Sequence, residues 1–358
     1  MTLPAKIGKY KIQGVLGKGG MGIVYKGWDS AISRSVAIKA ITKASLDAGT
    51  LKQVINRFRH EAQTVGRLVH PRIVQIYDYG EDDEIAYIVM ELVNGKTLAH
   101  HLAQKVVYEI REAGEIIRQV LDGIGYAHGE GVVHRDIKPS NIMINSDGRI
   151  KISDFGIAHT ESSNLTKVGD VLGTLQYMAP EQFLGTEVST LTDLFAIGVI
   201  AYELLTGSKP FYGSSAVVMQ QVLNERPADP SVLNANLSPL MDRVLQKALA
   251  KKREDRFQDA REFSEVFREA LDATLNLNAA APTLKLSAPD SSALLSAARL
   301  LNAAPVAITP QASGDVHPML TGNSAISLDT SVKKARLLLI DDEERILTAL
   351  KSLFRSRY

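Results

Sequence analysis

Short β-branched runs carry most of the hydrophobic residues between positions 10 and 88. Such runs predict strands, and they are Ile23-Val24-Tyr25, Val36-Ala37-Ile38 and Ile73-Val74-Gln75-Ile76-Tyr77. One helix is predicted among them, over residues 51–68, because apolar residues recur there at three- and four-residue spacing and would bury one face. These residues are Val54, Phe58, Ala62 and Val65.

Beyond Gly95 the pattern changes to long helices. Similar apolar stripes predict helices over residues 113–128, 193–205, 237–249 and 259–273. The stripe of the first of these helices is Ile116, Ile117, Val120, Leu121, Ile124 and Ala127. The two halves together predict an α+β, bilobal architecture, in which a small β-rich lobe holds one key helix and a larger lobe is helical.

The composition changes sharply after Leu275. Residues 276–332 hold only five charged side chains among many Ala, Ser, Pro and Thr, so this stretch predicts a flexible linker. One segment in it, residues 291–304, has an apolar helical face, which we interpret as a transient helix without function. A short apolar run, residues 337–340, then leads into an acidic stretch and an amphipathic segment.

The overall charge is nearly balanced, with 41 Lys and Arg against 40 Asp and Glu. This balance argues against a nucleic acid or a membrane surface as the partner. The chain has no cysteine, which excludes disulfides, thiolate metal sites and a cysteine nucleophile. No apolar run approaches the roughly 20 residues that span a bilayer, so the sequence predicts a cytoplasmic protein.

Three glycines, Gly17, Gly19 and Gly22, lie between two predicted strands. Glycine lets the backbone approach phosphate oxygens closely, because it has no side chain. The same G-x-G-x-x-G spacing occurs in dinucleotide-binding folds, but there a helix follows the last glycine. Here a predicted strand follows, so the pattern favours a hairpin that covers phosphates.

A lysine and a glutamate come after this hairpin. Lys39 ends the predicted strand 36–39, and alone it would be interpreted as a solvated strand end. After a glycine hairpin we interpret it as a phosphate ligand, which needs a carboxylate to orient it. Glu61 can supply that carboxylate, because it lies on the predicted helix between Phe58 and Val65, on the apolar face.

The densest polar cluster is His134-Arg135-Asp136-Ile137-Lys138-Pro139-Ser140-Asn141, and Asp154-Phe155-Gly156 follows it after another predicted strand. Pro139 disfavours a helix, so the first group is predicted to form a loop. Asn141 and Asp154 offer oxygen atoms of the kind that Mg²⁺ prefers. Asp136 is left as the group that accepts a hydroxyl proton. Each fragment alone could be an ordinary turn, because Asp, Asn and Gly are common in turns. The order in which the fragments follow one another argues against ordinary turns.

These motifs resemble those of the eukaryotic-type (Hanks-type) protein kinases, and most of all the bacterial serine/threonine kinases of that superfamily. The resemblance covers residues 8–272 and implies the bilobal kinase fold, with a small lobe over about 8–90 and a large lobe over about 95–272. It further implies that the three glycines cover the ATP phosphates, that Lys39 contacts the α- and β-phosphates, and that Glu61 holds Lys39.

The resemblance also implies the roles of the catalytic loop. Asp136 would be the catalytic base, and Lys138 would approach the γ-phosphate. Asn141 and Asp154 would bind Mg²⁺, with Mn²⁺ as an alternative ion. ATP and a divalent cation are thus the expected cofactors.

Further residues are implied by the same resemblance. Met90 would gate the nucleotide pocket, and backbone groups of Glu91 and Val93 would bind adenine. Glu181 and Arg256 would form a buried ion pair in the large lobe. The other residues implied to line the nucleotide site are Leu16, Val24, Ala37 and Met143.

Lys138 and Thr174 resemble the residues of serine/threonine kinases rather than of tyrosine kinases, so the acceptor would be a Ser or Thr hydroxyl of a protein. Between Gly156 and Gly173 lies a polar stretch, for which a simple mobile loop is the alternative. Because Arg135 precedes the catalytic aspartate, a phosphate on this stretch would bond an arginine and order it. We predict autophosphorylation there, first at Thr166; the other candidates are Thr160, Ser162 and Ser163.

Residues 335–358 resemble the first strand and helix of a response-regulator receiver domain. In that family the acidic pair matching Asp341-Asp342 helps to bind Mg²⁺, whereas the phosphoacceptor aspartate lies on a later strand. We therefore expect a truncated β-α fragment that is not a working receiver. An ordinary amphipathic tail is the alternative.

We thus expect a serine/threonine kinase of bacterial signal transduction that phosphorylates itself and protein partners. Response regulators or other two-component proteins are expected among the partners, and dimerisation is expected for autophosphorylation. One alternative is a nucleotide-binding scaffold, or pseudokinase, but intact Lys39, Asp136, Asn141 and Asp154 argue against it. Another is a small-molecule phosphotransferase of related fold, which is disfavoured because residues 173–181 resemble a peptide-docking segment.

Overall fold

The structure is a computed structural model that describes residues 3–19, 22–43, 48–155 and 175–280. These residues belong to one compact unit, Met1–Leu284. The predicted linker beyond Ala280, the receiver-like fragment and the four candidate phosphorylation sites lie outside the described residues.

An antiparallel sheet forms most of the first lobe. Its strands are β1 (Lys6–Ile7), β2 (Tyr10–Gly19), β3 (Gly22–Asp29), β4 (Arg34–Thr42), β5 (Ile76–Glu81) and β6 (Ile85–Glu91). They are arranged in the order β1-β2-β3-β4-β6-β5, so β5 is an edge strand. Two predicted runs lie within β3 and β4. The third differs, because β5 begins at Ile76 rather than Ile73, and the Val74 N–H donates instead to the Ile152 carbonyl at 2.9 Å.

Helix α1 (Ala48–Val65) packs against one face of this sheet. In β4, alternate residues face opposite sides, and Ile41 on the same side as Lys39 contacts the helix. The buried cluster between helix and sheet consists of Ile41, Ile55, Phe58, Ala62, Ala86 and Ile88. The predicted apolar face is confirmed at Phe58, Ala62 and Val65, which are buried. The helix ends at Val65, earlier than predicted, because glycine, which follows at position 66, has a low helix propensity.

The second lobe is mainly helical. Its helices are α2 (Leu98–Ala103), α3 (Ile110–Gly129), α4 (Pro180–Leu184), α5 (Thr190–Thr206), α6 (Ser215–Asn224), α7 (Pro230–Leu233), α8 (Pro239–Ala248) and α9 (Ala260–Ala280). Every residue of α5 from Thr192 to Leu205 is buried, and α3 and α8 pack against it. The predicted apolar stripe of α3 is confirmed, since all six of its residues are buried. None of the helices in the described ranges has the length and apolar composition needed to cross a membrane.

Among the helix boundaries that differ from the predicted ones, two more have a local cause that the structure shows. Helix α5 begins at Thr190, before Asp193, because the Ser189 side chain caps it by accepting the Leu191 N–H at 3.3 Å. Helix α9 continues past residue 273 to Ala280. Its extension is held by polar contacts, including one between Thr274 Oγ1 and Ser238 Oγ at 2.9 Å, and polar contacts leave no apolar periodicity in the sequence.

A second, smaller sheet lies in the helical lobe. It contains β7 (Gly95–Thr97), β8 (Ile142–Asn145) and β9 (Ile150–Ile152), in that order. Asn141 directly precedes β8, and Asp154 follows β9 after one intervening residue. This sheet therefore positions both predicted metal ligands.

Candidate active site

The catalytic loop, defined here as residues 134–141, lies between α3 and β8. Lys138 Nζ lies 2.8 Å from Asp136 Oδ2. The Asn141 side-chain Nδ2 donates to the Asp136 carbonyl oxygen at 2.8 Å and to Asp136 Oδ2 at 3.3 Å. The short 3₁₀ helix Pro139–Asn141 turns the chain back, so that the Asn141 side chain reaches Asp136. The loop thus brings three of the predicted site residues together.

A buried carboxylate holds this loop in place. Asp193 of α5 is 1% exposed, and its two oxygens accept the backbone N–H groups of His134 at 2.8 Å and Arg135 at 2.7 Å. His128 Nε2 lies 2.8 Å from Asp193 Oδ2. Arg135 has a φ of 68°, which is costly for a residue with a side chain. The bonds to Asp193 offset that cost.

His134 connects the catalytic loop to the segment that contains Asp154. Its Nε2 lies 3.0 Å from the Ser153 carbonyl oxygen, and its ring packs against Phe155 with the ring centroids 4.5 Å apart. Burial lowers the pKa of His134 below its ordinary value, so the ring is neutral near pH 7. A neutral ring that donates from Nε2 can accept at Nδ1, and the Asp136 N–H donates to Nδ1 at 3.3 Å.

Lys39 and Asp154 form an ion pair between the two lobes. Lys39 Nζ lies 2.6 Å from Asp154 Oδ1, and their side chains are 14% and 42% exposed. Desolvation acts to raise the pKa of Asp154, but the Lys39 ammonium outweighs it, and the pKa lies below its ordinary value. The carboxylate is therefore ionised at neutral pH, as a metal ligand must be.

The glycine hairpin lies beside Lys39. Val24 pairs with Gly17 on β2 and with Lys39 on β4. Gly22 has a φ of 137°, and a Cβ there would lie 2.2 Å from a β4 carbonyl oxygen, so only glycine fits. At Gly17 and Gly19 an added Cβ would meet no atom within 4 Å in the described part of the chain. The backbone is thus open to close approach at these two positions.

The end of β6 holds Met90 and Glu91, two of the residues predicted at the nucleotide. Met90 pairs with Ala37 and packs against the cluster under α1. The Glu91 N–H donates to the Gln75 carbonyl at 2.9 Å, and its carboxylate lies 2.7 Å from Lys151 Nζ. Of the Glu91 backbone groups that were expected to bind adenine, the N–H is therefore already engaged, and the carbonyl is the group that could serve.

The other residues expected at the nucleotide lie on different segments. Leu16 lies on β2 with 50% of its surface exposed. Val93 lies between β6 and β7, and Met143 lies on β8 opposite Lys151. Their contact with a nucleotide stays a prediction. Glu61 lies on α1, but its side chain falls outside the described residues, and its pairing with Lys39 likewise stays a prediction.

The donor atoms fit a hard divalent cation. Asn141 uses its amide nitrogen for Asp136, and its amide oxygen, which accepts a long bond of 3.4 Å from the Ser140 hydroxyl, keeps a lone pair for a cation. The Asp154 carboxylate is ionised. Within the described ranges, no group of three or more His, Cys, Asp or Glu side chains forms a metal cage. Mg²⁺ typically takes one or two protein oxygens and completes its shell with phosphates and water. Asn141 and Asp154 suit that mode of binding.

The predicted ion pair of the large lobe is present. Arg256 NH1 and NH2 each lie 2.9 Å from an oxygen of Glu181, and the two side chains are 0% and 3% exposed. The Thr192 hydroxyl also donates to Glu181, at 2.7 Å. Burial acts to raise the pKa of Glu181, but Arg256 holds it below its ordinary value.

Two residues near the site carry contacts that sequence reasoning missed. His128 contacts Asp193, and Lys151 contacts Glu91. Both partners are distant in sequence, so no local pattern indicates them. The available signal was a polar residue at the end of an apolar helical stripe for His128, and a lysine inside a buried strand for Lys151.

Comparison with known proteins agrees with this architecture. Residues 10–270 match a family model described as a protein kinase domain. The chain is 41% identical, over 76% of its length, to a probable serine/threonine-protein kinase of Streptomyces coelicolor. It is 40% identical, over 74% of its length, to the serine/threonine-protein kinase PrkC of Bacillus subtilis. It is 38% identical, over 81% of its length, to the serine/threonine-protein kinase PknB of Mycolicibacterium smegmatis.

The matches cover 41%, 41% and 48% of these relatives, so the chain spans less than half of their length. Among solved structures, Rad53 1–466 in complex with AMP-PNP matches with a TM-score of 0.59 and 30% identity, over 72% of this chain and 64% of that one. The chain therefore belongs to the protein kinase family, which uses ATP and a divalent metal ion, and within it to the eukaryotic-type (Hanks-type) serine/threonine kinases of bacteria.

Proposed function

We propose that this chain is an active enzyme that transfers the γ-phosphoryl group of ATP to Ser or Thr hydroxyls of proteins. The observation that carries the proposal is a set of five groups in two bonded clusters, which are connected where the Ser153 N–H donates to the Asn141 carbonyl at 2.9 Å. These groups are Lys39, Asp136, Lys138, Asn141 and Asp154. A scaffold that only binds nucleotide would not require Asp136 and Lys138 to be held together.

In the proposed reaction, the acceptor oxygen bonds to the γ-phosphorus while the bond from that phosphorus to its bridging oxygen breaks, and ADP leaves. Asp136 accepts the proton of the acceptor hydroxyl. Lys138, whose Nζ lies 2.8 Å from Asp136, supplies positive charge beside the transferring group. Most of the rate enhancement would come from positioning and charge neutralisation.

Asn141 and Asp154 would hold Mg²⁺, with Mn²⁺ as the alternative ion. When bound, the cation neutralises charge on the phosphates. Lys39 would contact the α- and β-phosphates, which requires its ammonium to share or leave Asp154. The glycine hairpin beside it would cover the same phosphates with backbone N–H groups.

We further propose that phosphorylation of the activation segment, residues 156–173, regulates the enzyme. Within the described residues, no hydrogen bond or ion pair engages the Arg135 guanidinium, although its backbone is fixed by Asp193. This arginine could therefore bind a phosphate on Thr166, Thr160, Ser162 or Ser163. Mass spectrometry of active enzyme and of Asp136→Asn should find phosphate on at least one of the four only in the active form.

The decisive test is incubation with Mg²⁺ and γ-labelled ATP, with a generic basic protein as acceptor. Label on phosphoserine or phosphothreonine that is lost in Asp136→Asn would support the proposal. ATP binding without transfer by the wild-type chain would favour the scaffold instead. Transfer to small molecules but not to protein would favour the small-molecule phosphotransferase.

Autophosphorylation would take place between two copies of the chain. The check is to mix active enzyme with a size-tagged Asp136→Asn chain, which cannot label itself. Label on the tagged chain indicates transfer between copies, whereas label confined to the active chain indicates transfer within one copy.

The resemblance of residues 335–358 to a receiver supports a link to two-component signalling. Response regulators are therefore proposed as protein substrates, and a cytoplasmic location as the place where kinase and regulator meet. Label on Ser or Thr of a purified response regulator, absent with Asp136→Asn, would support the link. Cell fractionation tests the location.

A further inference from the structure

A cluster of polar side chains joins helix α1 to the edge of the sheet. The Glu81 carboxylate, at the end of β5, contacts Lys43 Nζ at 2.9 Å, Arg59 NH2 at 2.6 Å and the Tyr79 hydroxyl at 2.7 Å. Lys43 follows β4, Arg59 lies on α1, and Tyr79 lies on β5. We call these four residues the Glu81 clasp. It lies outside the candidate active site and ties three elements to one carboxylate.

The base of the clasp is rigid. Directly after Glu81 the chain makes a tight turn, in which the Asp82 side chain accepts the N–H groups of Glu84 at 2.9 Å and Ile85 at 2.8 Å. The Lys43 N–H donates to the Glu84 carbonyl at 2.8 Å. Lys43 and Tyr79 hold the Glu81 carboxylate from the side of the sheet, and Arg59 is the member that belongs to the helix.

Apolar packing alone would hold α1 less specifically. The cluster of Ile41, Ile55, Phe58 and neighbouring residues resists separation of helix and sheet, but hydrophobic contact is not directional. The clasp adds a directional bond at Arg59. Tyr79 also contacts Phe58, with the ring centroids 6.2 Å apart. Two consecutive residues of α1 are therefore held by adjacent groups of β5.

The Glu81 carboxylate of the clasp is ionised throughout the ordinary pH range. Hydrogen bonds from Lys43, Tyr79 and Arg59 lower the pKa of Glu81 to about 2. The Arg59 side chain is 47% exposed, and ion pairs with such exposure add little to global stability. This combination suits a group that orients a helix rather than one that holds the fold together.

We propose that Glu81 is a positioning residue for phosphoryl transfer, which acts through Arg59 to set the orientation of α1 and thereby the position of Glu61. Residues 59 and 61 are about 3 Å apart along the helix axis, so a helix that rotates at Arg59 also moves the backbone of Glu61. The inference rests on the proposed function, in which Glu61 orients Lys39 toward the phosphates.

The test compares Glu81→Gln with Glu84→Gln in the full chain. Glu84 is exposed on the same turn, and its carboxylate forms no hydrogen bond or ion pair with the described residues, so it is a matched control for the loss of one carboxylate charge. We expect Glu81→Gln to lower kcat about tenfold by misplacing a catalytic contact, while the Kd for ATP and the thermal midpoint stay close to wild type. Glu84→Gln should match wild type in all three.

A double-mutant cycle shows whether Glu81 acts through Arg59. Arg59→Met should lower kcat as Glu81→Gln does, and the double variant should be no worse than either single variant. Additive losses, or wild-type kcat in Glu81→Gln, would overturn the proposal. A large fall in the thermal midpoint of Glu81→Gln would also overturn it, because the residue would then be structural.

Hydrogen exchange separates this inference from the proposed function. Amides of residues 51–65 should exchange faster in Glu81→Gln than in wild type or Glu84→Gln, whether or not the chain transfers phosphate. If the wild-type chain is inactive and exchange still rises, the proposed function fails but the clasp stands as a device that orders α1. Unchanged exchange would refute the clasp.

Discussion

Two ion pairs of similar length occupy very different surroundings in this chain. Arg256 and Glu181 meet in the helical lobe in two bonds of 2.9 Å, with side chains 0% and 3% exposed. Lys39 and Asp154 meet between the lobes at 2.6 Å, with side chains 14% and 42% exposed. Distance alone would not distinguish them.

The difference lies in spare bonding capacity. All five N–H groups of Arg256 are used, because the guanidinium also donates to the carbonyls of Ala250, Leu191 and Lys251. Asp154, in contrast, receives Lys39 on one oxygen, and within the described ranges its other oxygen has only a 3.5 Å contact from the Ser153 hydroxyl. A saturated pair can only hold structure, whereas an open pair can exchange a partner for a ligand.

Breaking the saturated pair should give the largest effect. Arg256→Met leaves the Glu181 carboxylate buried without its partner, and we expect the free energy of unfolding to fall by about 3–5 kcal/mol. Urea denaturation measures this change. The control is Arg261→Met, which removes an exposed pair with Glu265 and should leave the urea midpoint unchanged. Equal midpoints for Arg256→Met and wild type would contradict the structural role.

Breaking the open pair of Lys39 and Asp154 should lower the rate of phosphoryl transfer and leave the stability of the fold unchanged. We expect Lys39→Met to lower kcat by about 10²–10³, as the loss of one charge-stabilising group typically does. The urea midpoint should stay near wild type, because Asp154 is partly exposed and can be hydrated. Lys11→Met, on the exposed part of β2, should change neither quantity. If the urea midpoint of Lys39→Met were as low as that of Arg256→Met, the pair of Lys39 and Asp154 would be needed for stability.

Asp193 should behave as an intermediate case, since it is buried like Glu181 but bonds the catalytic loop. Asp193→Asn loses charge-assisted bonds to two backbone N–H groups, and we expect about 1.5–3 kcal/mol less stability. The kcat should also fall about tenfold or more, because the loop is displaced. Asp242→Asn is the control, because Asp242 is buried against Ser231 away from the catalytic loop. It should lose stability with kcat unchanged.

The sequence predicted the open site better than the contacts that hold it. Lys39, Asp136, Asn141 and Asp154 are recognisable because phosphate and metal chemistry restricts residue type and because the residues lie in short motifs. The bond from His128 to Asp193 joins residues on two different helices. Helical periodicity shows which face is buried, but it does not show which polar group on that face finds a partner.

The same contrast applies to the fold, where patterns of burial were predictable and bonds between distant groups were not. The strands β3 and β4 and the buried stripe of α3 were predictable, since period-two and helical patterns report burial directly. The start of β5 was not, because residues 72–74 form backbone bonds with β9 that depend on no side chain. The end of α9 was missed because Thr274, a polar residue, is fully buried against Ser238.

The smallest expected effect concerns His134, which is buried like Arg256 but lies in the catalytic loop. Burial lowers the pKa of His134 in the folded state, so below pH 6.5 the unfolded chain binds a proton that the folded chain does not. Stability should therefore fall as pH decreases from about 6.5 toward the folded pKa, with a slope of at most about 1.4 kcal/mol per pH unit. Urea denaturation between pH 7.5 and 5.5 measures it. His134→Phe should lack this part of the slope. His60→Phe changes an exposed position of α1 and should keep it. Equal slopes in wild type and both variants would mean that His134 does not titrate differently on folding.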